Sequence, residues 1–152
     1  MYKRILLPVE HSEADRTIID HVQPLARMCG ATIVLLHVAD GWAARAYDEL
    51  KLRDSKEIQE DRAYLDQVAG ELQRQGFAVE SRLAMGDPAT EIVKAVDAAQ
   101  ADLVAMATHG HGLVKDILLG ATVDKVRHQL RVPVLLLQAR QPRGPKTHGP
   151  RG

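Results

Sequence analysis

An α/β fold on a five-stranded parallel sheet, with helices on both faces, is predicted for this chain by three observations. Short continuous apolar runs recur along it, as expected of strands buried on both faces. Segments with apolar residues at helical spacing lie between them. The two kinds alternate from end to end, five strands with four helices between them, and such alternation specifies a parallel sheet. The length of 152 residues suits one domain with one core, and 45% hydrophobic against 26% charged residues is an ordinary globular balance.

Ile5-Leu6-Leu7-Pro8-Val9 is the first strand. Pro8 has no N–H to give a central sheet, which places it at the strand's end. Ser12 is read as the cap of the first helix, with Glu13 and Asp15 favouring the dipole in its first turn. Ile18, Val22, Leu25 and Cys29 then recur at helical spacing, and Gly30 stops the helix. Pro24 removes a hydrogen bond inside it at a cost of ~3 kcal/mol, so a kink is expected there. Residues 31–38, rich in β-branched side chains, form a second buried strand. Residues 39–52, with Gly41, Trp42 and Tyr47, fit either a flap over a site or the start of the next helix.

In residues 53–75, Ile58, Leu65, Val68 and Leu72 share one face, and Gly76 ends the helix. The charge run 51–62 is read as that helix's wet face, laced by i,i+4 pairs. Phe77, Val79 and Leu83 alternate with polar residues, so 77–85 reads as a half-exposed edge strand. Asp87-Pro88, a capping carboxylate before a proline at the first helical position, starts a helix that runs to about Ala99. Residues 102–107 are another buried strand. Residues 113–119 read as a short helical turn, 122–130 as a helix and 132–137 as the last strand. No internal repeat is visible.

Twenty basic and twenty acidic residues cancel, but unevenly. Residues 139–152 carry Arg140, Arg143, Lys146 and Arg151, with three Pro, three Gly and no acid, and are expected to be a disordered tail. The body, residues 1–138, is left with sixteen basic against twenty acidic residues. That balance leaves no electrostatic footprint for nucleic acid. The lone Cys29 cannot form an intrachain disulfide and reads as an inert, buried thiol. No signal peptide opens the chain and no segment reaches the ~20 apolar residues of a membrane span, so a cytoplasmic protein is expected.

The chemistry concentrates in one loop. Ala107-Thr108-His109-Gly110 leaves a strand, and nine residues later comes Gly120-Ala121-Thr122. A glycine turn after a strand and a second glycine opening a helix can hold phosphate with backbone N–H groups. It is not a P-loop, since no Gly-Lys-Ser/Thr follows. Ligands of such sheets bind at the carboxyl ends of strands where the strand order reverses. With the order 3-2-1-4-5 the crevice lies between the first and fourth strands, with Pro8, Val9 and Glu10 on one side and residues 107–110 on the other. His109 and His111 lack companions at ligand spacing, so no metal site is expected there. Glu10 and Asp40 at strand ends could hold magnesium as a pair, but solvated carboxylates are the simpler assignment. His37 reads as a structural histidine at the pocket rim, and Lys115 as a solvated side chain. No nucleophile, base and orienting group stand together, so no catalytic residues are assigned and at most weak ATP hydrolysis is expected.

The chain resembles the universal stress protein family over nearly all of residues 2–138. The likeness rests on Ile5-Leu6-Leu7-Pro8-Val9, Leu36-His37-Val38, Gly86-Asp87-Pro88-Ala89, Asp102-Leu103-Val104, Thr108-His109-Gly110, Leu118-Leu119-Gly120 and Val132-Pro133-Val134-Leu135, in that order and spacing. The resemblance implies a Rossmann-like sheet of the adenine-nucleotide-alpha-hydrolase kind, binding of ATP or AMP, and dimerisation through the last strand. The family's nucleotide-binding branch shows a glycine, two residues, a glycine, nine residues, then a glycine followed by serine or threonine. Gly110 and Gly120 match, while Ala107 replaces the first glycine, Ala121 replaces the hydroxyl residue, and Glu10 stands for an aspartate near the ribose. Losing one side-chain hydrogen bond to a phosphate costs roughly 1.5–3 kcal/mol, which weakens binding without abolishing it.

The expected site therefore comprises Pro8, Val9, Glu10, Val38, Met106, Ala107, Thr108, His109, Gly110, Gly120, Ala121 and Thr122, taking ATP or AMP with or without Mg2+. Adenine would lie over Val9 and Val38, and the ribose near Glu10. The last strand, through Val132, Val134, Leu135, Leu136 and Leu137, is expected to be an exposed apolar edge that pairs with its two-fold copy. The expected function is a dimeric stress-response module whose nucleotide occupancy biases a surface read by a protein partner. The alternative is a nucleotide-free dimeric interaction protein with a vestigial pocket.

Overall fold

The computed structural model describes residues 1–39, 56–109 and 116–139, the backbone alone for 109 and 116–121. The segment around Trp42, the loop residues Gly110, His111 and Lys115, and the expected tail beyond 139 lie outside the described residues. Five strands, β1 (Arg4–Val9), β2 (Thr32–Ala39), β3 (Val79–Met85), β4 (Leu103–His109) and β5 (Val134–Ala139), alternate with four helices, α1 (Ala14–Cys29), α2 (Lys56–Arg74), α3 (Pro88–Ala99) and α4 (Asp116–Gln129). The sheet order is β3-β2-β1-β4-β5 with every neighbouring pair parallel, as the alternation requires. No helix among the described residues is long and apolar enough to cross a membrane.

The central strands are apolar on both sides because both sides are covered. Side chains alternate between faces along a strand. Ile5, Leu7, Val9, Ile33 and Leu35 pack beneath α1 and α2, whereas Leu6, Val34, Leu36, Val104 and Met106 pack beneath α3 and α4. The helices answer with matching stripes. Ile58, Leu65, Val68 and Leu72 of α2 are all buried, as their spacing demands. In α1 the stripe is Asp15, Ile18, Ile19, Val22 and Ala26, turned slightly from the expected one, so Leu25 and Cys29 are only partly covered. The helix continues through an exposed Pro24.

Two helix starts differ from expectation. Position 13, not Ser12, precedes the first turn of α1, and neither side chain caps it in the usual way; a carboxylate from inside the helix takes over, as described below. The helix before the last strand begins at Asp116 and includes Gly120, Ala121 and Thr122. Gly120 therefore does not open a helix; it lies inside one. A mid-helix glycine costs about 1 kcal/mol relative to alanine, an amount that Asp116-Ile117-Leu118-Leu119 ahead of it can offset by extending the helix. The start of α3 is as expected: the Asp87 carboxylate accepts the Thr90 N–H at 3.0 Å and its hydroxyl at 2.7 Å, with Pro88 in the first turn.

Candidate functional site

The strand ladders are unequal, and the shortest of them lies at the switch point of the sheet. β1 pairs with β2 through six residues, from Arg4 with Thr32 to Val9 with His37, and β4 pairs with β5 through six more. Between β1 and β4 only two pairs form, Ile5 with Leu103 and Leu6 with Val104. Beyond them no further pair joins the two strands toward their carboxyl ends, at the place where the strand order reverses. Pro8 stands past the last β1–β4 pair, which suits a residue with no N–H to give.

The turn from β1 into α1 is tied by one buried carboxylate. Asp15, 2% exposed, accepts the N–H of Glu10 at 2.9 Å, of His11 at 2.9 Å and of Ser12 at 3.2 Å. The Tyr64 hydroxyl of α2 donates to the same carboxylate at 2.6 Å. Burial first, then the hydrogen bond to Asp15 and its charge, push the Tyr64 phenol well above its ordinary range, so it stays a donor. Consecutive N–H groups at a helix start can hold an anion, but these three already hold the chain's own. Phosphate has no use of them.

Beside this knot sits a second one. The buried His37 of β2 places Nδ1 2.9 Å from the carbonyl oxygen of Val9 and Nε2 3.0 Å from Asp61 Oδ2 of α2. The other Asp61 oxygen lies 3.1 Å from His11 Nδ1. The His11 ring stacks on Tyr64 with centroids 4.2 Å apart. Its backbone is held at φ 65°, a left-handed conformation uncommon for a residue with a side chain. Among the described residues no cluster of His, Cys, Asp and Glu converges as metal ligands would.

The expected site residues fall into three groups. Pro8, Val9, Glu10, Val38, Ala107, Thr108 and His109 all stand at or next to the carboxyl ends of β1, β2 and β4, so the fold brings them to one end of the sheet. Met106 is on β4 as well, but its side chain is buried under α3 and α4, and that of Val9 is buried under α1 and α2. Gly120, Ala121 and Thr122 lie in the first two turns of α4, where the i→i−4 ladder engages their N–H groups and the unladdered donors belong to the turn before them. Gly110 lies outside the described residues, as does Asp40, the suggested partner of Glu10. His37 is structural as expected, tied on both ring nitrogens. Sequence reasoning missed Asp61, which it left on a wet face, together with Asp15 as a cap, Tyr64 and His11. The available signal was weak: two aromatic or imidazole side chains and two carboxylates, scattered over three elements.

The family model described as the universal stress protein family matches residues 1–138. A universal stress protein of Methanocaldococcus jannaschii is 28% identical over 155 residues, covering 91% of this chain and 96% of that protein. Its solved structure superposes with a TM-score of 0.77 at 29% identity, covering 93% of this chain and 99% of that one. Two solved structures share the fold at 17% identity. A universal stress protein from Archaeoglobus fulgidus in complex with dAMP covers 89% of this chain and 97% of its own, with a TM-score of 0.66. Another universal stress protein, in complex with cAMP, covers 91% and 99%, with a TM-score of 0.69.

Proposed function

The chain belongs to the universal stress protein family, and from that premise we propose that it is a cytoplasmic stress-response module that binds an adenine nucleotide, ATP or AMP with or without Mg2+, and works as a homodimer. The end of the β1–β4 ladder after two pairs carries this reading, because it falls at the switch point of the sheet, where ligands of parallel α/β sheets bind. Relatives of the same fold in complex with dAMP and cAMP lend it support. Adenine lies at the carboxyl ends of β1 and β2, over Val38 and the backbone of Val9, whose side chain is buried beneath α1 and α2, and ribose lies near Glu10. The phosphates run along the β4–α4 connection from Thr108, His109 and Gly110 to the first turns of α4 at Gly120, Ala121 and Thr122. The nucleotide biases a surface that a protein partner reads.

Calorimetric titration of the nucleotide-stripped chain with ATP and with AMP, each with and without magnesium, tests the proposal. Micromolar binding that disappears in Gly120→Leu, a change that keeps the helix, supports it. No heat, together with no thermal stabilisation at millimolar nucleotide, sinks it. One observation favours the second reading, a nucleotide-free dimeric interaction protein: the ladder of α4 engages the N–H groups of Gly120, Ala121 and Thr122, and Asp15 occupies those at the start of α1.

A further inference from the structure

His37 has an acceptor at each ring nitrogen. The Val9 carbonyl at 2.9 Å can only accept, so Nδ1 carries a hydrogen. A neutral imidazole has one N–H, and with Nδ1 protonated its Nε2 would turn a bare lone pair on Asp61 Oδ2 at 3.0 Å. That contact attracts only with a proton in it. From this geometry we infer that His37 and Asp61 share one proton more than a neutral imidazole and a carboxylate hold, and that this pair positions the nucleoside end of the crevice. The pair balances equally as imidazolium with carboxylate or as imidazole with carboxylic acid.

Around the pair, the turn brings Glu10 and His11, α1 brings Asp15 and Arg16, and α2 brings Tyr64 and Glu71 beside Asp61 itself, while β3 offers the uncharged Leu83 in register with His37. The clasp joins three elements, and each clasped backbone segment leads directly into a proposed contact: Val9 precedes Glu10, and His37 precedes Val38. Loss of the proton removes the attraction to α2 and frees the ends of β1 and β2 to shift. His37 and Asp61 thus act through Glu10 and Val38 as positioning residues. This part of the inference rests on the nucleotide reading.

Long-range proton–nitrogen NMR of the histidine rings in the full chain, with the carbon shift of the Asp61 carboxyl, tests the shared proton. At neutral pH His37 is expected with both nitrogens protonated, or with Asp61 as the acid. In Asp61→Asn the amide can donate to Nε2, and His37 becomes the neutral Nδ1–H form. A wild-type His37 with bare Nε2 facing an ionised Asp61 overturns the inference, even if the variant fails to fold. Titration with adenosine, which carries no phosphate of its own to ionise, tests the positioning role over pH of about 6 to 9. Affinity is expected to weaken with rising pH, by at most about tenfold per unit for one proton, and to lose that dependence in Asp61→Asn. A flat wild-type profile overturns the positioning role. Absence of adenosine, ATP and AMP binding at every pH overturns the nucleotide reading, while the NMR result still decides the proton.

Discussion

Asp15 shows how much a single side chain can organise. Sequence pattern marks it only as an acid in a first helical turn, favourable to the dipole. In the fold it satisfies three backbone N–H groups and a tyrosine hydroxyl, and so fixes the turn that carries Glu10. Tyr64→Phe keeps the ring under His11 and deletes one of those four donors. The expected cost is about 1–2 kcal/mol in urea unfolding, since a hydrogen bond to a charged group is being lost while the carboxylate keeps its backbone donors. Because the folded phenol titrates above its unfolded value of about 10, its contribution persists up to that pH and fades only at higher pH; a cost that vanished between neutral pH and about 9 would contradict the assignment. Asp15→Ala strands all four donors and is expected to cost more, about 3 kcal/mol or above, seen as a lowered unfolding midpoint. None of this was legible in the sequence. Asp61 looked like part of a charge run, and a positive φ at His11 has no signature in residue order.

Helices were legible where local chemistry decides them and illegible where it competes. Asp87-Pro88 is a local decision, and the structure matches it. The hydroxyl and then the N–H of Thr90 hold the Asp87 carboxyl below its usual range. Its folded value lies below the unfolded one, so the cap's help is complete above about pH 4 and is lost as pH falls through the lower folded value. Asp87→Ala should cost about 1 kcal/mol at neutral pH and less on acidification, measured as the difference in unfolding midpoint from the parent chain. Pro24 is the opposite case. The helix tolerates it at an exposed position because Ile18, Ile19, Val22 and Ala26 anchor both sides. Pro24→Ala is expected to stabilise by about 1 kcal/mol or more in urea, provided the restored N–H finds its carbonyl. The start of α4 is not legible in the sequence because a glycine with a helix after it looks like a boundary, whereas burial of Val123 and Val126 secures a helix long enough to absorb it.

At the scale of the molecule, the strand–helix alternation was enough for the sheet and its two covered faces, because helix period and strand period are both written in apolar residues. The two edges of the sheet differ. β3 carries Glu80, Ser81 and Arg82, while β5 runs Val-Leu-Leu-Leu with Leu136 42% exposed. Charged edges resist pairing and apolar ones invite it, which favours β5 as the proposed dimer edge. Leu136→Lys should then shift the chain to monomer in sedimentation equilibrium without lowering its unfolding midpoint at high dilution; a wild-type chain that is monomeric at micromolar concentration would end the proposal. The two-pair junction of β1 and β4 has a mechanical meaning besides. Chain ends pulled apart at the start of β1 and the end of β5 load parallel strands in shear, and a shear line fails where it is shortest. Under force the domain should tear between Leu6 and Val104, leaving β1-β2-β3 on one fragment and β4-β5 on the other, so that the line along which a ligand would enter is also the line along which the molecule breaks.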